Sequence, residues 1–245
     1  MYPHYPERFE SLQGLKKILW HVLPFQTWDE LRFELQTLKI RCVEPFRRAA
    51  YRKWNDFYLN VGCGGSGREG WVNLDVFPAP GVNCLWDARR SLPFRDESCE
   101  GIFTEHFLEH LEPTLEAPTF LQECHRILKR GGKIRILVPD GEAYLKAYAA
   151  GGWEGLKKLR GLSEDGKDPW FGHSYETRME LINMVFRQGI QHAFTYDFET
   201  LKKTLVAAGF PKVERGSGSA SSDPCIRLDN PQRESESLIV EASKP

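Results

Sequence analysis

The stretch Leu59-Asn60-Val61-Gly62-Cys63-Gly64-Gly65-Ser66-Gly67 decides the fold. Its first residues form a short apolar run, which is typical of a buried strand in a parallel sheet, and glycines follow at once. Gly62, Gly64 and Gly67 satisfy the spacing G-x-G-x-x-G, which lets the backbone of the turn approach a ligand because no Cβ is in the way. The pattern predicts a nucleotide-type cofactor at the end of this strand.

The residues after the glycines separate two cofactors that could use this turn. A dinucleotide such as NAD needs a helix that begins in the turn, with an acidic residue about 20 positions further on. Here the chain runs directly into the next apolar segment, and Asp75 follows Gly62 by only 13 residues (75 minus 62). S-adenosylmethionine has no pyrophosphate and needs a tight turn and an acid for its ribose hydroxyls, which Asp75 supplies. The spacing favours S-adenosylmethionine; the alternative is a plain turn with a strand-ending aspartate.

Short apolar runs continue along the chain and predict an α/β fold. The expected strands are 57–61, 71–74, 82–86, 101–104, 133–138, 212–214 and 238–242. Helices are expected at 114–129, where Gly131-Gly132 would stop the helix, and at 197–208. The alternation predicts a doubly wound, mostly parallel Rossmann-like sheet with helices on both faces. The segment 216–237 is rich in Ser, Gly, Asp and Pro and is expected to be a long loop or hairpin excursion.

Two segments are expected to be appended to this sheet, which belongs to a domain at 56–245. Residues 1–55 are expected to be a helical extension, and 141–195 a helical insertion that carries substrate contacts. The stretch 65–70 is too short for a crossover helix, so the first crossover helix is shortened or missing. We expect a helix of the extension to cover the exposed sheet face there, with Leu31 and Leu35 buried. The basic residues of the extension are expected to form a solvated helix face: Arg41, Arg47, Arg48, Arg52 and Lys53.

Several motifs together resemble a bacterial family of predicted class I S-adenosylmethionine-dependent methyltransferases. They span about residues 57 to 245 and include Leu59-Asn60-Val61-Gly62-Cys63-Gly64, Gly70-Trp71-Val72-Asn73-Leu74-Asp75, Leu92-Pro93-Phe94, Leu108-Glu109-His110-Leu111, Ile127-Leu128-Lys129-Arg130-Gly131-Gly132, Val138-Pro139-Asp140 and Ala208-Gly209-Phe210. The family often accompanies polysaccharide and secondary-metabolite assembly, so the resemblance implies a small-molecule or saccharide acceptor.

The resemblance also implies a set of cofactor-binding residues. Gly62 and Gly64 would line the methionine part of the cofactor and Asp75 would hold the ribose. Asp87, after the third strand, would meet the adenine amino group, and Glu105, after the fourth, would lie near the sulfonium. The residues of the glycine motif that complete the expected set are Asn60 and Cys63.

A base is needed if the acceptor is a hydroxyl or a protonated amine, and histidine titrates nearest neutral pH. His192 is the first candidate because it lies between the insertion and the last helix, and His106 is the second because it leaves the fourth strand. Asp140, after the fifth strand, could orient an acceptor hydroxyl or cap the following helix.

The segment His106-Phe107-Leu108-Glu109-His110 matches H-x-x-E-H, a zinc-peptidase pattern in which two histidines on one helix face bind the metal. It follows a strand in a methyltransferase-like frame, and a third ligand would have to come from far away. We therefore expect no metal.

The composition sets limits on the function. There are 33 basic and 34 acidic residues, so no overall positive charge recruits nucleic acid, and a nucleic-acid methyltransferase is disfavoured. The six scattered cysteines, and the lack of a signal-peptide pattern or of a long apolar run, favour a cytoplasmic protein without a membrane span. The expected activity is methyl transfer to a hydroxyl or amine of a small molecule or saccharide; the alternative is a catalytically inactive cofactor-binding scaffold. A homodimer is compatible with either.

Overall fold

The computed structural model describes residues 25–218, 220–221 and 223–245, so the first 24 residues of the expected extension lie outside the described part. The strands are β1 (Phe57–Val61), β2 (Val72–Asp75), β3 (Cys84–Leu85), β4 (Cys99–Glu105), β5 (Leu128–Pro139), β6 (Lys212–Arg215) and β7 (Ser237–Ser243). The helices are α1 (Phe25–Cys42), α2 (Glu44–Tyr51), α3 (Glu116–Ile127), α4 (Gly141–Ala149), α5 (Glu154–Arg160), α6 (Arg178–Arg187) and α7 (Phe198–Ala207).

The strands form one seven-stranded sheet in the order β3-β2-β1-β4-β5-β7-β6. The neighbours from β3 to β5 are parallel, and β7 is antiparallel to β5 and to β6. This confirms the expected mostly parallel Rossmann-like sheet. One boundary prediction is wrong, because Gly131 and Gly132 do not stop a helix. Leu128 already pairs with Cys99 of β4, so the strand begins before the glycines and contains them.

The first crossover, between β1 and β2, contains no helix, as expected. The crossover from β4 to β5 runs in the opposite direction across the sheet, and its helix α3 packs on the core that contains Leu59, Val61 and Ile102. Right-handed crossovers that run in opposite directions lie on opposite faces of a sheet. The missing helix would therefore have covered the other face, where Phe103 lies.

The segment between β6 and β7 covers that face. Ile226 is fully buried, and a Cβ added to Gly101 of β4 would lie 2.7 Å from its Cγ2 atom. Leu228 packs against the cluster formed by Phe103, Leu137 and Ile239. The predicted excursion at 216–237 is thus a cover for the sheet. It takes the place that a crossover helix would fill.

The prediction that the extension helix buries Leu31 and Leu35 is wrong. Leu31 and Leu35 are 41% and 49% exposed, whereas Thr37 and Ile40 are buried. Helices α1 and α2 pack on the same face as α3, near the ends of β2 and β3. Here the Gln36 amide donates to the Val76 carbonyl at 2.9 Å. Apolar spacing did not reveal this docking because polar side chains that reach backbone carbonyls contribute much of it.

Arginines of the extension bind backbone and side-chain groups near the edge of the sheet. The Arg47 guanidinium donates to the Leu85 carbonyl at 3.1 Å, and the Arg48 guanidinium donates to the Leu92 carbonyl at 3.3 Å. Arg41 lies 3.5 Å from Asp87. The expected solvated basic face is therefore wrong for these three residues, which attach the extension to the sheet edge.

The insertion at 141–195 is helical, as expected, and has an apolar cluster of its own around Tyr144, Leu156 and Leu181. A buried arginine, Arg160, joins it to the start of β7 because its guanidinium donates to Asp168 at 2.7 Å and to Glu236 at 2.5 Å. Within the described residues no helix is both long enough and apolar enough to span a bilayer.

Candidate functional site

The register of the parallel strands brings the predicted cofactor residues to one edge of the sheet. Val61 pairs with Leu74 of β2 and with Thr104 of β4, so the three strands end side by side. The glycine turn and Asp75 meet there, since the Gly64 N–H donates to the Asp75 carboxylate at 2.9 Å. Ligands of open α/β sheets bind outside this edge.

The two leading glycines of the turn are needed for different physical reasons. Gly62 has φ +68°, and a Cβ there would lie 2.7 Å from the Phe107 ring, well inside carbon–carbon contact distance. Gly64 has φ +49°, and a Cβ there would meet no atom within 4 Å. The turn therefore leaves open space above Gly64 in which a ligand can approach the backbone.

Buried asparagines hold the turn in place of a helix. The Asn60 amide donates to the Ser66 carbonyl at 3.2 Å, and the Asn73 amide donates to the Arg68 carbonyl at 2.8 Å. The Asn73 side-chain oxygen in return accepts the Arg68 N–H at 2.8 Å. Asn60, predicted to contact the cofactor, thus has a part in shaping the turn. Cys63 is buried, and burial raises the pKa of its thiol to about 12, so it remains a neutral packing residue.

Asp87, just after β3, and Glu105, at the end of β4, have hydrogen-bond partners of their own within the protein. Asp87 accepts from the Arg89 guanidinium at 2.9 Å through both oxygens. Burial alone would raise the pKa of Asp87, but the Arg89 guanidinium outweighs this effect and holds the pKa below its usual range. Glu105 accepts the Asn230 N–H at 2.9 Å, and burial raises its pKa. Sequence reasoning missed Arg89, which has no motif of its own.

A second group of polar residues follows β4, where Glu109 is the central residue. Its side chain is 1% exposed, and its Oε2 has no hydrogen-bond partner among the described residues. His106 Nδ1 lies 3.2 Å from Oε1, and His192 Nε2 lies 4.0 Å from the same oxygen. The Glu109 backbone carbonyl accepts the N–H groups of Ala193 and Phe194, which fixes this segment against β4.

His192 and His110, which also lie near Glu109, are both oriented by backbone carbonyls. His192 Nδ1 lies 2.7 Å from the Val185 carbonyl, and His110 Nδ1 lies 2.9 Å from the Gln191 carbonyl. A carbonyl only accepts, so each Nδ1 carries the proton and each Nε2 keeps its lone pair. Burial lowers the pKa of His192 to about 4, which keeps its imidazole neutral near pH 7.

The other two predicted catalytic residues lie at the same sheet edge. His106 has a left-handed backbone, with φ +51°, and its Nε2 lies 2.9 Å from the Ser237 hydroxyl. Asp140 accepts the Ala143 N–H at 3.0 Å and is the N-cap of α4. Of the two roles considered for Asp140, capping is the one with an observed contact.

The zinc-peptidase arrangement is not formed. The residues Leu108–His110 make a single 3-10 turn and not an α-helix, so His106 and His110 do not share a helix face. The group that does form contains Glu109, His110 and His192, whose donor atoms all lie within 4.8 Å of one another. The sequence concealed this group because His192 is distant along the chain.

Residues 77–136 match a family model described as a methyltransferase domain. A search of the curated proteins found no match to this sequence. Similar solved structures include an S-adenosylmethionine-dependent methyltransferase from Thermotoga maritima, described as a possible histamine N-methyltransferase. Its sequence is 17% identical, the TM-score is 0.44, and the match covers 92% of this chain and 99% of that one.

Two further solved structures are similar to this chain at comparable values. One is an S-adenosylmethionine-dependent methyltransferase from Archaeoglobus fulgidus, with 20% identity, TM-score 0.43 and coverage of 90% and 100% of the two chains. The other is the 1,6-didemethyltoxoflavin-N1-methyltransferase of Burkholderia thailandensis, with 15% identity, TM-score 0.45 and coverage of 91% and 90%. Such values are too low to transfer a substrate or a residue role.

The sheet is mostly parallel and Rossmann-like, and the match of residues 77–136 to a methyltransferase domain supports S-adenosylmethionine as the cofactor. The residues present fit this group. The turn has open space above Gly64, and Asp75 offers a carboxylate beside it without the helix that a pyrophosphate would need.

Proposed function

We propose that this chain transfers a methyl group from S-adenosylmethionine to a hydroxyl or amine of a small molecule or saccharide. The observation that carries the proposal is the contact between Gly64 N–H and Asp75 at the aligned ends of β1 and β2. It places an acid beside a glycine turn that has no helix behind it, which suits this cofactor and not a dinucleotide.

The cofactor-binding roles follow from the order of the strands. Gly62 and Gly64 would line the methionine part, and Asp75 would accept from the ribose hydroxyls with the lone pairs that Gly64 and Phe77 leave free. Asp87 would reach the adenine only if it shared its oxygens with Arg89. When bound, the cofactor supplies a methyl group already activated by a sulfonium, so the protein has chiefly to align the acceptor and exclude water.

The acceptor would lie between the glycine turn and the insertion. His192, at the end of the insertion, has an unprotonated Nε2 and is the first candidate to take a proton from the acceptor; His106 is the second. Helix α6 of the insertion contacts His192 through the Val185 carbonyl, which supports the proposal that the insertion is a lid that carries acceptor contacts. The acceptor class itself rests on the resemblance of the sequence.

Calorimetric titration with S-adenosylmethionine and with NAD tests the cofactor. We expect binding of the first and none of the second, and the reverse result would refute the proposal. Incubation with isotopically labelled cofactor and a panel of glycans and small hydroxylated or amino compounds, followed by mass spectrometry, tests the acceptor. Cofactor binding without a methylated product across the panel would favour the inactive scaffold.

A further inference from the structure

We propose that Glu109, His110 and His192 bind a divalent transition-metal ion of the zinc type, at a site separate from the cofactor turn. This replaces the expectation that the chain binds no metal. Two imidazoles and one carboxylate are a ligand set that such ions accept, and three protein ligands leave at least one coordination position open.

The distances suit a shared ion after small movements. The three donor atoms all lie within 4.8 Å of one another. Donors that share a zinc ion tetrahedrally at bond lengths of about 2.0–2.1 Å lie about 3.4 Å apart. Closing the group therefore requires side-chain shifts of about 1.5 Å, which fall chiefly on His110, since the His192 side chain is 6% exposed and His110 is only partly buried.

The buried carboxylate of Glu109 is the independent observation that points to a ligand. A carboxylate that is 1% exposed, with Oε2 unpartnered among the described residues and Oε1 facing the ring of His106, carries a large desolvation penalty. A cation coordinated by the carboxylate would offset that penalty. The only cationic candidates that the described residues place within 4.0 Å of it are the imidazoles of His106 and His192.

The orientation of the histidines suits coordination. His110 and His192 each use Nδ1 for a backbone carbonyl, which leaves both Nε2 lone pairs free. Metal-binding histidines almost always donate their other ring N–H to a carbonyl or carboxylate, which fixes the ring and its tautomer. His106 would act as a positioning residue, since its ring lies between the Ser237 hydroxyl and Oε1 of Glu109.

The location gives the ion a task in acceptor binding that rests on the proposed function. Phe107, one residue after His106, is the residue that a Cβ on Gly62 would strike, so the turn with the ligands adjoins the glycine turn. Such an ion would make an acceptor hydroxyl bound to it lose its proton more easily. His192 would then serve as a ligand and not as the base.

Metal titration of the full-length, untagged protein after dialysis against a chelator tests the site. We expect one Zn²⁺ per chain by elemental analysis and, with Co²⁺, visible absorption bands of a nitrogen-ligated ion. His110→Ala and His192→Ala should each lower the affinity at least about 100-fold, more than loss of an outer contact does. The matched control is His125→Ala, a histidine outside the group that stacks on Phe210, and it should bind as the wild type does.

Two measurements keep the test decisive if a variant is unstable. Glu109→Gln preserves the shape of the buried side chain, and cofactor titration of every variant reports whether its sheet edge is intact. In the wild type, added Zn²⁺ should shift the Nε2 but not the Nδ1 nitrogen resonances of two histidines. Absence of stoichiometric metal, or equal loss of metal from the His125→Ala protein, would overturn the proposal.

The outcome is independent of the proposed activity. A protein that binds S-adenosylmethionine but no metal refutes this site and leaves the methyltransferase proposal in place. A protein that binds metal but not the cofactor does the reverse. If chelation leaves methyl transfer unchanged while the metal site is confirmed, the suggested task in acceptor binding is wrong.

Discussion

Substitution of Gly64 by alanine should weaken cofactor binding more than it weakens the fold, and Gly70 provides a matched comparison. Both glycines are exposed, both have left-handed backbones, with φ +49° and +77°, and a Cβ at either would meet no protein atom within 4 Å. They differ in position, because Gly64 lies beside Asp75 and Gly70 lies at the far end of the turn.

The magnitudes follow from these two observations. A left-handed alanine costs about 1–2 kcal/mol, so both variants should lose similar stability, about 2 to 8 °C in Tm for a chain of this size. Only the Gly64→Ala methyl group enters the space proposed for the methionine part of the cofactor. We expect its Kd for S-adenosylmethionine to rise at least about tenfold, which is about 1.4 kcal/mol.

Thermal unfolding and calorimetric titration of the two variants measure both quantities. The expected pattern is an equal fall in Tm with a loss of affinity in Gly64→Ala alone. If the Gly64→Ala protein bound the cofactor as tightly as Gly70→Ala and the wild type, the open space above Gly64 would not be the cofactor site, and the reasoning from the turn would be refuted.

Three other perturbations test separate parts of the structure. Asp75→Asn should raise the Kd for S-adenosylmethionine about 10- to 100-fold, because it removes a charged hydrogen bond worth about 1.5–3 kcal/mol. An unchanged Kd would contradict the ribose contact. Arg135→Ala should lower the free energy of unfolding, measured in urea, by about 3–5 kcal/mol, because it leaves the carboxylates of Asp229 and Glu241 without their buried partner. A loss below about 1 kcal/mol would contradict this prediction. Burial alone would raise the pKa of Asp168, but the Arg160 guanidinium holds that pKa below its usual range. The Asp168–Arg160 pair therefore stabilises the fold above about pH 4, and this stabilisation is lost as the pH falls further. Tm measured against pH should therefore drop in acid, and Asp168→Asn should flatten that drop.

The sequence was sufficient to predict that the glycine turn and Asp75 meet at one edge of the sheet, because its signals are local. A buried strand, a glycine turn and an acid at the end of the next strand are all read within Leu59 to Asp75, and parallel pairing then fixes where they meet. The same reasoning predicted the missing crossover helix from chain length alone.

The parts that failed depend on contacts between distant segments. Nothing in the spacing of Leu31 and Leu35 shows that α1 would turn Thr37 and Ile40 inward, because the docking also depends on polar groups that reach carbonyls. The group around Glu109 was hidden for the same reason, since His192 approaches it through a backbone pairing that leaves no periodic pattern.

The covering segment between β6 and β7 explains how a sheet without its first crossover helix keeps the cofactor turn in position. A helix would have held the turn by its own hydrogen bonds. Here the Arg68 guanidinium donates to the Leu228 carbonyl at 3.1 Å, and the Asn230 N–H is accepted by Glu105. Asp229, between these two contacts, binds the buried Arg135 of β5. One short segment thus joins the turn after β1 to the end of β4 and to the centre of the sheet, so a change that releases Asp229 should disturb the cofactor edge as well as the core.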